Sequence, residues 1–271
     1  MLSAGALRAH LPEARLAGSM ATSRETGPRS HRLVAARDPR VLLGLGPERT
    51  WRQPEPLRLM AGRCGVPGDP EPASGPDRID PDRTPADLGA FADRLRAAAR
   101  ARARVLLGTG HPHRLLGFYA ALARSLSAAG CPDLTPAQGR CIDITTRFGV
   151  RTRTLAYARG DASVCAGRGA AEGCGTGVHT HSPLPVRTAL GAAADAGGLL
   201  PALVVGDHGW VCGAGQPGIE AIGPAGTDDP ALFVGEAEDR VAVAVPLDDA
   251  VRSGYYRPLT RYVLNRACLS Q

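Results

Sequence analysis

The chain has 271 residues, 44% of them hydrophobic and 21% charged, a balance that excludes global disorder and can fill a sizeable core. All 32 basic residues are arginine, set against 26 acids. The net charge of +6 is wholly N-terminal, because residues 1–104 hold 18 Arg and 12 acids whereas residues 105–271 hold 14 of each. No apolar run reaches the ~18 residues of a membrane span, so no membrane partner is expected.

The opening MLSAGALRAHLPEAR meets charge before any long apolar stretch, which argues against a secretory leader and for a cytoplasmic location. Seven cysteines, an odd number with no CxxC pair, read as reduced, packed thiols rather than a disulfide framework or a structural zinc site. The pI near 9.2 raises nucleic acid as a partner. The arginines are interleaved with acids, aromatics are only 4%, and no nucleic-acid motif is present, so that partner is disfavoured.

At about 150 residues per domain the length allows roughly two domains. Residues 1–63 read as a largely helical N-terminal region, with HRLVAARDPRVLLGL at helical spacing and broken by Pro39. Residues 64–86 are rich in Pro, Gly and Asp and read as a linker or surface loop. The remainder, 87–271, reads as an α/β catalytic domain. A helix is expected from about Pro85, N-capped by Thr84 and carrying Leu88, Phe91 and Leu95 on one face.

At Val105 the pattern changes. VLLGTG reads as a buried strand closing on glycines, followed by a helix that Gly130 stops. Residues 140–158 predict an antiparallel hairpin about Phe148-Gly149, and the glycine-rich stretch 160–177 predicts a flexible loop. A helix follows from Ser182-Pro183 to about Gly197. PALVVGD (201–207) reads as a second buried strand, DDPALFVGEAEDR as a capped helix, VAVAVPLDD as a third buried strand and YYRPLTRYVLNRAC as a closing helix. The fold class is therefore α/β: a mostly parallel sheet flanked by helices, with a β-hairpin insertion and a largely helical N-terminal region.

The chemistry concentrates at the ends of the predicted strands, where open α/β sheets bind their ligands. Five of the seven histidines, His111, His113, His179, His181 and His208, lie in the charge-neutral part. In GTGHPHR, Thr109 and Gly110 would cradle a phosphate on backbone N–H groups at the helix start, with Arg114 and more distantly Arg187 adding guanidinium contacts. His111 would act as acid, nucleophile or ligand, and His113 would serve as a metal ligand. In VHTHS, His179 and His181 stand two apart in extended backbone and so face one side, fit to grip one metal. In GDHGWVCGAG, Asp207 and His208 would act as a catalytic pair. Asp228-Asp229 and Asp248-Asp249 serve either as caps or, one pair of them, as hard metal ligands, with Asp229 the chosen candidate.

Three stretches, GTGHPHRLLGFYAAL, GDHGWVCGAG with its downstream TDDPALF, and VAVAVPLDDAV…YYRPLTRYVL, resemble a family of actinobacterial proteins catalogued as phosphatases. The resemblance runs along most of the chain and implies phosphate-ester hydrolysis. The sequence lacks the Arg-His-Gly start of the histidine phosphatases. The expected function is hydrolysis of a small phosphate monoester. Both a metal-dependent course using Mg, Mn or Zn and a metal-free course through a histidine stay open. The alternatives are a sugar-phosphate isomerase or sensor domain, or a nucleic-acid regulator using residues 1–104. Oligomeric state is not encoded in any motif.

Overall fold

A computed structural model of the chain describes residues 3–68, 74–146, 148–158, 160–166, 177–198 and 200–269. The first part is α1 (Ala4–Glu13), β1 (Gly18–Ser23), α2 (Thr26–Ala35), α3 (Pro39–Leu42), α4 (Glu55–Cys64) and β2 (Pro76–Ile79). Then follow α5 (Thr84–Arg100), β3 (Val105–Gly108), α6 (Pro112–Ala128), β4 (Cys141–Thr146), β5 (Gly149–Ala158) and β6 (Asp161–Ala166). The chain continues through α7 (Leu184–Asp195), β7 (Leu203–Gly206), α8 (His208–Gly215), β8 (Ala221–Ala225), α9 (Pro230–Ala237) and β9 (Val243–Pro246). It closes with a short 3-10 turn (Ser253–Tyr256) and α10 (Arg257–Arg266).

The main sheet has seven strands in the order β4-β5-β6-β3-β7-β8-β9. From β6 to β9 every neighbouring pair is parallel, and β4-β5-β6 form an antiparallel meander at one edge. The four strands β3, β7, β8 and β9 are short and buried at every position, as expected of parallel strands covered by helices on both faces. Leu106, Val204, Val205, Ile222 and Ala244 form their fully buried centre. The α/β class, the parallel sheet and the hairpin thus agree with the sequence reading.

Three local expectations change. Beside β6, four buried parallel strands replace the three foreseen. The addition, β8 (AIGPA), carries Gly and Pro in a run of five and shows no strand signature of its own. Within the stretch 160–177 read as loop, Asp161–Ala166 is a strand that pairs with β5 and β3, while 167–176 fall outside the described residues. Thr84 is not a cap: it is the first residue of α5, and its buried hydroxyl donates to Pro246 O across 2.8 Å, tying that helix to β9.

The N-terminal region is tied closely to the sheet. β1 and β2 pair antiparallel, Gly18 opposite Ile79, so part of the 64–86 stretch read as linker is one arm of a two-stranded ribbon. Arg63 on α4 bonds Glu236 on α9 at 2.8 Å and approaches Asp87 on α5 at 3.3 Å. Trp51 Nε1 donates to Glu238 at 2.7 Å, and Asp248 N donates to Leu16 O at 2.9 Å. Among the described residues no helix is long and apolar enough to cross a membrane.

Candidate active site

The site is built at the carboxyl ends of β3, β7, β8 and β9. At the end of β3 the chain turns abruptly into α6, and glycines decide how closely its neighbours approach. A Cβ on Gly108 would sit 2.3 Å from the Trp210 ring, and one on Gly110 would sit 2.2 Å from Thr180 O. The bare Gly110 lets the 178–182 segment lie against the turn, where Thr180 N donates to Gly110 O at 2.9 Å. That contact delivers His179 and His181 to the strand ends.

Asp207 is fully buried and spends both oxygens on this turn. Oδ1 accepts from Gly110 N at 2.5 Å and Oδ2 accepts from the Thr109 hydroxyl at 2.6 Å, while Thr109 Oγ1 accepts from His111 N at 2.9 Å. This closed circuit shows where the structure places Thr109, Gly110 and Asp207. The N–H groups of Gly110 and His111 and the Thr109 hydroxyl bond within the turn. Asp207 shapes the turn that aims His111 and does not orient the His208 ring. Burial raises its carboxyl pKa, against the pull of His208, His111 and the two hydrogen bonds.

The next residue, His208, opens α8 with φ +44 after an extended Asp207. A non-glycine residue held there costs on the order of 1 kcal/mol and turns the imidazole into the cluster. There His208 Nδ1 lies 2.6 Å from Asp229 Oδ2, and Nε2 lies 2.6 Å from His111 Nδ1 and 3.2 Å from Asp249 Oδ2. His111 Nδ1 is itself 3.2 Å from Asp249 Oδ2. His179 and His181 meet through Nε2 atoms 2.9 Å apart, and His181 Nδ1 is 3.6 Å from Asp229 Oδ1. His111 stacks on His179 and His181 on His208, with ring centres 3.9 and 4.0 Å apart.

Ligand atoms of His111, His179, His181 and His208 all lie within 4.8 Å of one another, as do those of His208, Asp229 and Asp249. His208 Nδ1 and Asp249 Oδ2 are buried without a properly directed hydrogen bond despite these short approaches. Buried polar atoms left without a directed partner beside further donors are what a cation would satisfy. Imidazole and carboxylate donors in this number fit a divalent metal, so the group could hold one.

The electrostatics divide the cluster. Burial, then the neighbouring imidazoles, lowers His179 to about 3 and His181 to about 4, leaving both neutral at pH 7 with lone pairs free. For His208, burial is outweighed by Asp229 and Asp249, and its pKa rises well above the usual value. Asp229 and Asp249 are also penalised by burial. His208 with His181 holds the first low, and His111 with His208 holds the second low. Asp228, buried beside these two carboxylates, is pushed up to about 8.

Two clefts reach the cluster. The larger, about 560 Å³, is lined by His111, His113, Arg114, His179, Arg252 and Ser253. The smaller, about 290 Å³, runs past Thr26, Arg29, Arg40, His181, Asp228 and Asp229. His113 is thus a cleft residue outside the donor cluster, and Arg114 lies beside it. Arg187 lies in neither cleft: its guanidinium donates to Gly44 O at 2.7 Å and anchors the end of α3.

Residues that sequence reasoning left aside complete the site. Asp249 carries the donor oxygen of its Asp-Asp pair, while Asp248 faces the other way, accepting from Ala21 N at 2.9 Å and from the Thr22 hydroxyl at 3.3 Å. Asp77 of β2, also buried, accepts from the hydroxyl of Thr227, which immediately precedes Asp228-Asp229. The ribbon therefore grips both carboxylate loops. The acid pairs were visible in sequence; Asp229, the candidate chosen from its pair, faces the cluster, whereas Asp249 was not singled out from its own.

A histidine–carboxylate cluster sunk at the carboxyl edge of a parallel α/β sheet, open to two clefts, has the build of an α/β enzyme. The chain belongs to the Phosphatase family, whose model matches residues 2–271, and it is a phosphatase. It is 40% identical over 265 residues to Phosphatase SCO2771 of Streptomyces coelicolor, covering 97% of this chain and 95% of that protein. No solved structure matches the chain.

Proposed function

We propose that this phosphatase hydrolyses a small phosphate monoester with the help of divalent metal. His111, His179, His181, His208, Asp229 and Asp249 would hold one or two ions. The observation that carries the reading is a pair of adjoining donor groups that share His208: four imidazoles (His111, His179, His181, His208), and His208 with the buried carboxylates of Asp229 and Asp249. A bound cation supplies charge neutralisation for the phosphoryl oxygens and acidifies water. Four imidazole donors favour zinc over magnesium, while the two carboxylates also suit manganese.

The chain's own residues do the rest. His179 and His181 stay neutral and keep their lone pairs available, while Asp229 and Asp249 stay ionised under the pull of the imidazoles. Asp207 and Thr109 fix the turn that aims His111, and the left-handed backbone of His208 fixes its ring. The substrate enters through the larger cleft with its phosphate toward His111 and His179. In the overall step a water oxygen bonds to phosphorus, the ester P–O bond breaks, and the leaving oxygen departs as an alcohol once it has taken a proton.

The test is phosphate release from an aryl phosphate by chelator-stripped protein, alone and with Zn, Mn or Mg added back. Activity that appears only on adding metal, with Zn or Mn ahead of Mg, is the expected result. Full activity in the stripped protein would overturn the metal reading and return His111 or His208 to direct attack or proton transfer.

A further inference from the structure

We infer that the substrate carries a second phosphate, bound by Arg114 and Arg252 in the larger cleft; the inference rests on the phosphomonoesterase reading above and names its substrate class. The first observation is size. At about 560 Å³ the cleft lies within the ~300–1,000 Å³ of small-molecule sites. Only two of its lining residues, His111 and His179, belong to the donor cluster. A phosphate at the cluster leaves most of the cleft for the rest of the molecule.

The second observation is charge. Arg114 and Arg252 are permanently cationic, no acid lines this cleft, and neither guanidinium has an acidic partner within 4.0 Å among the described residues. The smaller cleft is the contrast: Arg40 is already paired with Asp38 through both carboxylate oxygens, and Asp228 and Asp229 line the same wall. Arg29 also lines the smaller cleft without an ion-pair partner, but only the larger cleft has unpaired arginines and no acid in its lining. The reacting phosphate is served by the cluster itself, so the two guanidiniums are available to another anion. One guanidinium fork saturates a carboxylate. Two guanidiniums from different elements, with His113 and Ser253 beside them, suit the three oxygens of a phosphate better.

The third observation is span. Arg114 lies one helical turn beyond His111, and Arg252 follows Asp249 by three residues, a backbone reach of at most ~10 Å. Both subsites are therefore tethered near the cluster, and the two phosphates would be joined by a short carbon skeleton.

The experiment compares α,ω-alkanediol bisphosphates, from ethane to hexane, with the matching alkyl monophosphates, in wild type and Arg252→Gln. Binding is read by calorimetry and turnover by phosphate release. In wild type, at least one bisphosphate should bind about tenfold tighter than its monophosphate and show a correspondingly higher kcat/KM. Arg252→Gln should erase most of that ratio. Release from both series at equal kcat/KM, with equal affinities, would overturn the second-phosphate subsite and leave the phosphatase reading standing. Tighter, Arg252-dependent bisphosphate binding without release from any substrate would keep the subsite and overturn the hydrolytic reading. Loss of affinity for both series alike in Arg252→Gln would also overturn the subsite.

Discussion

The cluster has two flanks, and the protein builds them by different means. The histidine flank comes from chain that folds locally at the ends of β3 and β7 and from the 178–182 segment laid across them. Its geometry depends on a bare Gly110 and on one buried carboxylate, Asp207, that closes the turn before His111. The carboxylate flank comes from the loops after β8 and β9, and both loops are also held from outside. Asp77 grips the first through Thr227, and Ala21 and Thr22 grip the second through Asp248. The sheet thus supplies the donors, while a ribbon from the N-terminal third sets the position of the two acids. That is a physical reason to count residues 1–86 as part of the site.

The largest effect should come from the residue shared by both flanks. His208 touches Asp229, Asp249 and His111 at once. His208→Asn keeps a side chain that tolerates the left-handed backbone but removes the bridging ring. Turnover should fall about a thousandfold while the far-ultraviolet circular dichroism stays that of wild type. Retained turnover in a folded variant would show that the flanks act separately and would remove His208 from the chemistry.

The histidine flank was also the legible one. His179 and His181 stand two apart in extended chain, and period-two geometry alone brings their rings together, as found. GTGH and GDHG end apolar runs that could only be buried strands, so their polar residues had to gather at one edge of a parallel sheet. The carboxylate flank was opaque for a reason equally physical. Asp228-Asp229 and Asp248-Asp249 fit helix or turn caps as well as ligands, and the choice between neighbours depends on partners far away in sequence. β2 sits in a stretch whose Pro, Gly and Asp content masks a strand, and only pairing Gly18 with Ile79 makes it one. The partners of Asp207 were hidden for a related reason. Its place at a strand end beside a histidine was plain, but the two hydrogen bonds that turn it away from that histidine come from the end of another strand.

Acid separates the flanks next. On the ribbon side, His31 of α2 is buried near Asp77, neither ring nitrogen has a hydrogen-bond partner, and burial lowers its pKa from 6.5 to about 4 against the pull of Asp77. The folded state therefore resists a proton that the unfolded chain accepts below pH 6.5. Stability is fully present above that pH, falls as pH drops through the window from 6.5 to about 4, and levels off below it, for a total of about 3 kcal/mol from this group. His179 and His181 add losses of the same sign on the other flank. His31→Leu should flatten the stability curve between pH 6.5 and 4, as measured by denaturant unfolding at a series of pH values, with little change at pH 7.5. An unaltered pH slope would place the acid sensitivity entirely with the cluster histidines.

The smallest effect tests the division of labour most directly. Asp77→Ala leaves the Thr227 hydroxyl without its acceptor and should destabilise the protein by about 1–3 kcal/mol. Destabilisation alone would be equally consistent with a merely structural contact, so the deciding readout is divalent-ion affinity measured by calorimetry. If the ribbon positions Asp229, that affinity should fall about tenfold or more, the scale of losing an outer partner of a metal ligand, and Thr227→Val should reproduce the loss. Trp51→Phe provides the control, because it breaks another bond between the N-terminal region and the sheet layer, Trp51 Nε1 to Glu238, that bypasses the ribbon. That variant should lose a similar amount of stability and keep its ion affinity. Equal affinities in Asp77→Ala and Trp51→Phe would mean that the carboxylate loops hold their own shape, and the contrast between the flanks would then lie in their sequence alone.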